Sequence, residues 1–309
     1  MRIGHISDLH ILALDGPAPS EFFNKRIVGG LNLLLNRSGS HSVDVVKQAL
    51  RRLDDLEVDH IVISGDLTNL ALDSEFAAAA ELVHTVNDAP QRVSVVPGNH
   101  DYYTPGAEKN GRFEHHFEPF LHSDLPQYQS SNGYPFCHLR GDVAFVGLNS
   151  GIATAWFLSN GEVGREELRH ADRLLADPAV QSRFKVVIVH HPLLPDQNHA
   201  IQWTRRMRND EEVLELIRQR DVDLVVHGHT HYFSTFQLPK LGSPGTTYIC
   251  EAGCTSVSGG GDPRLAGKFN IYTIDDKRLT EIETHLFESV DSGFTPWKSQ
   301  VFRRDIEAP

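Results

Sequence analysis

Five apolar runs along the chain, RIGHIS, HIVIS, RVSVVP, KVVIV and DLVVH, each stop at a glycine or a polar stretch. Short runs of Val and Ile bounded in this way predict strands buried on both faces of a layered α/β domain. Other segments repeat their apolar positions at three- and four-residue steps. Val43, Val46, Leu50, Leu53 and Leu56 form one such stripe, which predicts a helix over 43–56 with that face on the core. An Ala-rich helix is expected around 74–86. Two more are expected near 166–175 and 211–220, leading into the strands at 185–189 and 223–227. The alternation of helix and strand defines an α/β chain.

The regular pattern breaks in three places. Residues 11–42 contain Gly16-Pro17, Pro19, Gly29-Gly30 and Gly39, and are expected to form an insertion acting as a lid. The aromatic, His-bearing stretch 102–122 is expected as a loop or short helix near the strand ends. The tail carries the runs TTYICEAG, FNIYTID and LTEIETHLF, separated by Gly259-Gly260-Gly261 and Asp275-Asp276, which read as antiparallel strands. One domain over 1–290 with a C-terminal extension at 291–309 is the expected organisation.

Chemistry is concentrated just beyond the five strand ends. There the chain carries Asp8-Leu9-His10, Gly65-Asp66-Leu67-Thr68-Asn69, Gly98-Asn99-His100-Asp101, Val187-Ile188-Val189-His190 and Gly228-His229-Thr230-His231. Groups at such ends stand on a rigid scaffold around one crevice. Three side-chain oxygens, from Asp8, Asp66 and Asn99, join four imidazoles, from His10, His190, His229 and His231. That set is too large for one metal ion and fits two. Carboxylate and imidazole without thiolate suit Mn, Fe, Zn or Co in a reactive centre better than a structural zinc, which favours Cys.

In this order, and spanning residues 8 to 231, the five motifs resemble the calcineurin-like metallophosphoesterases, with the class III cyclic-nucleotide phosphodiesterases of bacteria as the nearest branch. The resemblance implies a two-sheet mixed β-sandwich flanked by helices, an αββα fold, with the tail strands in its second sheet. It implies two divalent ions per chain, one held by Asp8, His10, Asp66 and His231, the other by Asp66, Asn99, His190 and His229, with Asp66 as bridge. Val187 to Pro192 matches the family's Val-x-x-His-x-Pro pattern, which makes His190 the ligand and His191 a neighbour expected to meet substrate. Asn99 would also stabilise the phosphoryl oxygens, and His100 would protonate the leaving alkoxide. Asn69 and Asp101 are expected to orient imidazoles, with Asn69 also near the substrate. Gly98 and Gly228 let the backbone turn beside the ligands.

Departures from relatives narrow the reading. Purple acid phosphatases carry Tyr where this chain has Asn69, and another residue at His10, so an iron-tyrosinate centre is not expected. Asn69-Leu70-Ala71 replaces the Asp-Arg-Gly continuation of the protein Ser/Thr phosphatases, so their phosphate-clamping Arg is missing. His100 stands where enzymes cleaving a lipid-linked pyrophosphate usually carry Arg. Two ions bridged by Asp66 would lower the pKa of a shared water and supply the attacking hydroxide. Two divalent ions (+4), Asp8 and Asp66 (−2) and one hydroxide (−1) leave about +1, matched to a phosphodiester monoanion. The expected activity is cleavage of phosphodiesters, of cyclic-nucleotide or glycerophosphodiester type. The alternatives are a phosphomonoesterase, a lipid- or nucleotide-linked pyrophosphatase and a non-catalytic scaffold.

Charge and composition change this picture little. A formal net charge of −12 over 309 residues disfavours nucleic acid as partner. Cys137, Cys250 and Cys254 lack metal or redox spacing and are expected as buried free thiols. Met1-Arg2 leads straight into a strand and no apolar run approaches a membrane span, so a cytoplasmic location is expected. Residues 21–36 mix Phe22, Phe23 and Leu31 with Lys25 and Arg26; packing on the domain is favoured over membrane contact. Arg205, Arg206 and Arg208 form a basic cluster from which Arg206 is expected to reach a substrate phosphate. A homo-oligomer is compatible with the sequence. Most of the 18 His are expected in core or surface roles.

Overall fold

A computed structural model gives the fold and describes residues 1–13, 41–154, 158–194, 204–241, 243–259 and 262–302. The insertion expected over 11–42, and with it the amphipathic stretch 21–36, therefore lies largely outside the described residues. The first half of the chain runs β1 (Arg2–Ile6), α1 (Val43–Asp55), β2 (His60–Ile63), α2 (Asp73–Val83), β3 (Val93–Val95), β4 (Phe136–Arg140), β5 (Val143–Gly147). It continues α3 (Arg165–Leu175), β6 (Phe184–Ile188), α4 (Asp210–Gln219), β7 (Leu224–His227), β8 (Phe233–Pro239) and β9 (Thr246–Ala252). The last three strands are β10 (Lys268–Asp275), β11 (Arg278–Ser289) and β12 (Gly293–Val301). The segment 102–122 forms short helical turns.

Two six-stranded mixed sheets result, ordered β12-β11-β10-β1-β2-β3 and β4-β5-β6-β7-β9-β8. The parallel trio β1-β2-β3 and the parallel quartet β5-β6-β7-β9 supply the strand ends that carry the motifs. Side-chain alternation along each strand divides the core in two. Val186 and Ile188 of β6, with Leu224 and Val226 of β7, face Ile3 and other residues of the first sheet. Val187 and Val225 face the other way, against Ala171 and Leu174 of α3 and Val213 and Ile217 of α4. On the opposite side of the sandwich, α1 buries Val46, Leu50 and Leu53, with Val43 and Leu56 packed at its ends. A side chain at Gly4 of β1 would come within 2.7 Å of Leu53 Cδ2, so the helix sits directly on the strand there. Helix, sheet, sheet and helix stack in that order.

The interface between sheets is more polar than a Val/Ile sandwich. His5 of β1 pairs with Tyr272 Oη at 2.9 Å and with Ser64 Oγ at 2.8 Å. Ser94 Oγ lies between His60 and His138, at 2.8 and 2.7 Å, and the His60 ring stacks on Phe145 at 4.1 Å. These imidazoles are buried interior groups, each with at least one hydrogen-bond partner, the role expected for most of the chain's His.

Two expectations require correction. The tail strands do not share one sheet: β9 pairs with β7 and β8 in the second, whereas β10 pairs with β1 and β11 in the first. The reason is that β1 leaves an edge which only a long-range antiparallel partner fills. Nor is 291–309 simply an extension, because β12 pairs with β11 and forms the outer strand of the first sheet. The three Cys are free and buried. No helix among the described residues is long and apolar enough to cross a membrane.

Candidate metal centre and active site

Asp8 follows β1, Asp66 follows β2, Asn99 and His100 follow β3, His190 follows β6, and His229 and His231 follow β7. The first three strands belong to one sheet and the last two to the other, so the cluster straddles the seam of the sandwich. Reaching it strains the backbone. Asp8, His10, Asp66, His229 and His231 have φ of 55°, 45°, 53°, 80° and 65°, a left-handed conformation that costs a non-glycine residue about 1–3 kcal/mol and persists only where the surroundings enforce it. The enforcement is visible. Asp8 N–H donates to Gly65 O at 3.0 Å, His10 N–H to Asp66 O at 2.9 Å and Ile11 N–H to Leu67 O at 2.8 Å, joining the first two loops. His229 N–H donates to the Asp8 carboxylate at 3.2 Å, tying the fifth loop to the first.

Among the described residues three overlapping groups of donors result, Asp8 with His10 and His231, Asp66 with His190 and His229, and His10 and Asp66 with His100, their ligand-type atoms within 4.8 Å of one another in each group; the first two take in all the expected His and Asp ligands. His10 Nε2 lies 3.1 Å from His231 Nε2, and Asp8 Oδ1 lies 3.3 Å from His231 Nε2. Asn99 Oδ1 joins the second group, 2.8 Å from His229 Nδ1 and 3.2 Å from His190 Nε2. Asp66 Oδ2 lies between the first two groups, 3.9 Å from His10 Nε2 and 3.4 Å from His190 Nε2. Atoms bound at about 2.0–2.2 Å to one ion, at tetrahedral or octahedral angles, stand roughly 2.9–3.6 Å apart. The spacings of 2.8–3.4 Å lie at or near that range and fit metal ions, whereas the 3.9 Å from Asp66 Oδ2 to His10 Nε2 is longer.

Hydrogen bonding favours the same conclusion. His190 Nδ1 donates to Ser64 O at 2.8 Å, which leaves the Nε2 lone pair facing the oxygens of Asn99 and Asp66. Facing acceptors need positive charge between them, a metal ion or a proton. In the bare protein a proton serves: burial works against charge on His190, but the Asp66 and Asp8 carboxylates outweigh it and raise its pKa to about 9. Burial, reinforced by neighbouring imidazoles, holds His10 and His229 well below the usual His range, and coordination requires neutral imidazole. Burial opposes the Asp66 anion, yet His190 and His100 keep its pKa well below the usual carboxylate range.

His100 stands at the rim. Its Nδ1 donates to Asn69 O at 2.7 Å, its ring stacks on Tyr103 at 5.3 Å, and its backbone N–H donates to Asp66 Oδ1 at 2.7 Å. The backbone carbonyl of Asn69, rather than its side chain, thus orients this imidazole. Asp101 orients none: its carboxylate accepts from the N–H groups of Gly98 at 2.9 Å, Leu67 at 3.2 Å and Thr68 at 2.9 Å, clamping the second loop to the third. His191 also departs from expectation. It is fully buried, pairs with Ser150 Oγ at 2.8 Å and Ser159 O at 3.2 Å, and packs its ring 4.5 Å from that of His229. With both nitrogens committed inside the protein, it supports His229 and does not face substrate. Arg206 is exposed; its carbonyl accepts from Gly161 N–H at 3.2 Å. Arg208 pairs with Glu162 at 3.3 Å.

Two neighbours have no local sequence signal or only a faint one. His41 brings its ring 4.7 Å from that of His10, with Nδ1 2.8 Å from Ser256 Oγ; nothing around residue 41 in the sequence announces this. Glu251, a lone acid in the apolar run of β9, is 3 % exposed, and burial pushes its carboxyl well above the usual range. An isolated acid in a buried strand is itself a signal, because such a group needs partners.

The third loop approaches so closely that Gly98 admits no side chain: a Cβ there would overlap Asp66 Oδ1 and lie 2.8 Å from its Cγ. Gly98→Ala must displace the Asp66 carboxylate. A loss of roughly 10²-fold in turnover is expected, the usual effect of an ångström-scale displacement. Hydrolysis of bis-p-nitrophenyl phosphate and metal content, measured together, check it; wild-type values for both would show that the carboxylate tolerates the shift.

This fold and this convergence of Asp, Asn and His at strand ends agree with what comparison with known proteins shows. The calcineurin-like phosphoesterase family model matches residues 1–233, and the chain belongs to that family, as a metal-dependent phosphoester hydrolase. A probable cyclic nucleotide phosphodiesterase of Vesicomyosocius okutanii is 22 % identical over 242 residues, covering 77 % of this chain and 87 % of that protein. Among solved structures, a dimetal phosphatase from Danio rerio superposes with a TM-score of 0.59 at 14 % identity, covering 92 % of this chain and 94 % of the other. A purple acid phosphatase from yellow lupin seeds also gives 0.59, at 15 % identity, over 96 % of this chain and 52 % of its own. Both share the two-sheet fold.

Proposed function

We propose that this protein hydrolyses phosphodiesters, of cyclic-nucleotide or glycerophosphodiester type, at a centre of two divalent ions. Asp8, His10, Asp66 and His231 hold one ion, and Asp66, Asn99, His190 and His229 hold the other. The observation that supports this most strongly is the position of Asp66 Oδ2, within 3.9 Å of His10 Nε2 in one group and 3.4 Å of His190 Nε2 in the other. When bound, such ions activate water as a nucleophile and neutralise charge on the phosphoryl oxygens. The chain's own residues do the rest. Ser64 O fixes the tautomer of His190, Asn99 places its amide at the phosphoryl oxygens, and His100, held by Asn69 O and Tyr103, gives a proton to the departing oxygen.

The grouping of His10, Asp66 and His100 favours a second reading, with His100 as a ligand instead of an acid. The relative named as a cyclic nucleotide phosphodiesterase supports the diester substrate class, as does the lack of a clamp arginine at 69–71. Diesters are accordingly expected to show higher kcat/KM than matched monoesters. Metal-loaded protein assayed with bis-p-nitrophenyl phosphate, p-nitrophenyl phosphate, cyclic nucleotides and glycerophosphodiesters tests this. A preference for p-nitrophenyl phosphate over its bis ester would make the protein a phosphomonoesterase.

A further inference from the structure

The Gly228-His229-Thr230-His231 loop feeds the first two donor groups, with His229 in one and His231 in the other. It is also strained, since both His have left-handed backbone angles. His190 is oriented by a hydrogen bond from its second ring nitrogen. His229 is not, because its Nε2 is buried with no hydrogen-bond partner among the described residues. Imidazole ligands usually depend on such a partner for orientation, so here the loop backbone must supply what a ring hydrogen bond supplies elsewhere.

The residue placed to fix that backbone is Glu251. It lies on β9, in register with His227 of β7 on one side and Ser234 of β8 on the other, directly beneath the loop joining those strands. Its Oε1 accepts from Thr230 N–H at 2.9 Å and from Thr230 Oγ at 2.5 Å, and its Oε2 accepts from Ser234 Oγ at 3.4 Å. Asn270 Nδ2 donates to the Glu251 carbonyl at 3.2 Å, linking the same residue to the first sheet.

We infer that Glu251 is a positioning residue for the whole centre: by holding Thr230 it fixes His229 and His231 together and sets the affinity for both ions at once. This rests on the binuclear reading above. Removing the side chain loosens one loop, so both ions should weaken in parallel although neither touches Glu251. That parallel loss separates a loop clamp from a defect at one ligand.

The test is Mn²⁺ titration of metal-free protein by calorimetry, alongside the thermal midpoint of the metal-free form. Wild type is expected to take up two equivalents; if it does not, the binuclear reading fails and not the role of Glu251. Glu251→Ala is expected to weaken both steps about 10- to 100-fold, the usual effect of losing a ligand's supporting partner. Glu251→Gln keeps an acceptor for Thr230 and should recover affinity to within a few-fold. Thr230→Val leaves β9 intact, removes one of the two hydrogen bonds, and should weaken both steps about 3- to 10-fold with an unchanged thermal midpoint. Wild-type affinity in Thr230→Val, or loss at one ion only in Glu251→Ala, would overturn the inference.

Discussion

Asp66→Asn is expected to strip both halves of the metal centre and abolish measurable turnover, whereas Asp8→Asn should weaken chiefly the ion on the His10 and His231 side. The difference follows from position. Asp8 lies 3.3 Å from His231 Nε2 in the first donor group, and it meets the second only through the backbone N–H of His229, from which it accepts at 3.2 Å. The two oxygens of Asp66 act separately. Its Oδ1 accepts from His100 N–H at 2.7 Å, and its Oδ2 faces His10 and His190 from between the groups. Replacing that second oxygen by an amide leaves two cations without a shared anion, and burial gives water no means to compensate. A loss of roughly 10³-fold or more is expected, beyond the 10- to 100-fold typical of supporting residues. Elemental analysis after gel filtration, with turnover of bis-p-nitrophenyl phosphate, measures both. Retention of one full equivalent by Asp66→Asn would confine the residue to a single site.

His100→Ala should retain its metal and lose far more rate on esters of poor leaving groups than on p-nitrophenyl esters. The Nδ1 hydrogen bond to Asn69 O and the Tyr103 stack hold the ring with Nε2 as its remaining proton carrier. A departing alkoxide of high pKa needs that proton, and p-nitrophenolate scarcely does. A differential of roughly 10²-fold is expected from the usual size of general acid catalysis. Equal losses on both substrates with metal still bound would make His100 a positioning group for the phosphoryl oxygens. Loss of metal would place it among the ligands, as its proximity to His10 and Asp66 allows.

The site was more legible in the sequence than the strand pairing was. Each ligand motif follows an apolar run, and a buried parallel strand with a polar end is a local pattern that survives in a single sequence. Its geometry was legible too, because parallel strands deliver their ends to one side. The pairing of β1 with β10 was not legible, because it joins residues more than 260 positions apart with no local trace. β8 escaped notice for a different reason: it is an edge strand with exposed Phe236 and a terminal Pro239, lacking the continuous apolar run of a central strand. Asn69 orients an imidazole as expected, but through its carbonyl, whereas Asp101 binds backbone N–H groups and His191 is buried with both ring nitrogens hydrogen-bonded. Sequence placed all three beside the centre, but which atom of each residue does the work depends on backbone conformation. His41 shows the limit of motif reading, since an imidazole 31 residues from His10 reaches its ring only through the fold.

Stepwise addition of Mn²⁺ to metal-free protein, with hydrolysis of bis-p-nitrophenyl phosphate followed at each step, tests the binuclear phosphodiesterase centre most directly. Activity is expected to rise until two equivalents per chain are bound and to vanish on chelation. Full activity at one equivalent, or activity that survives exhaustive chelation, would contradict it.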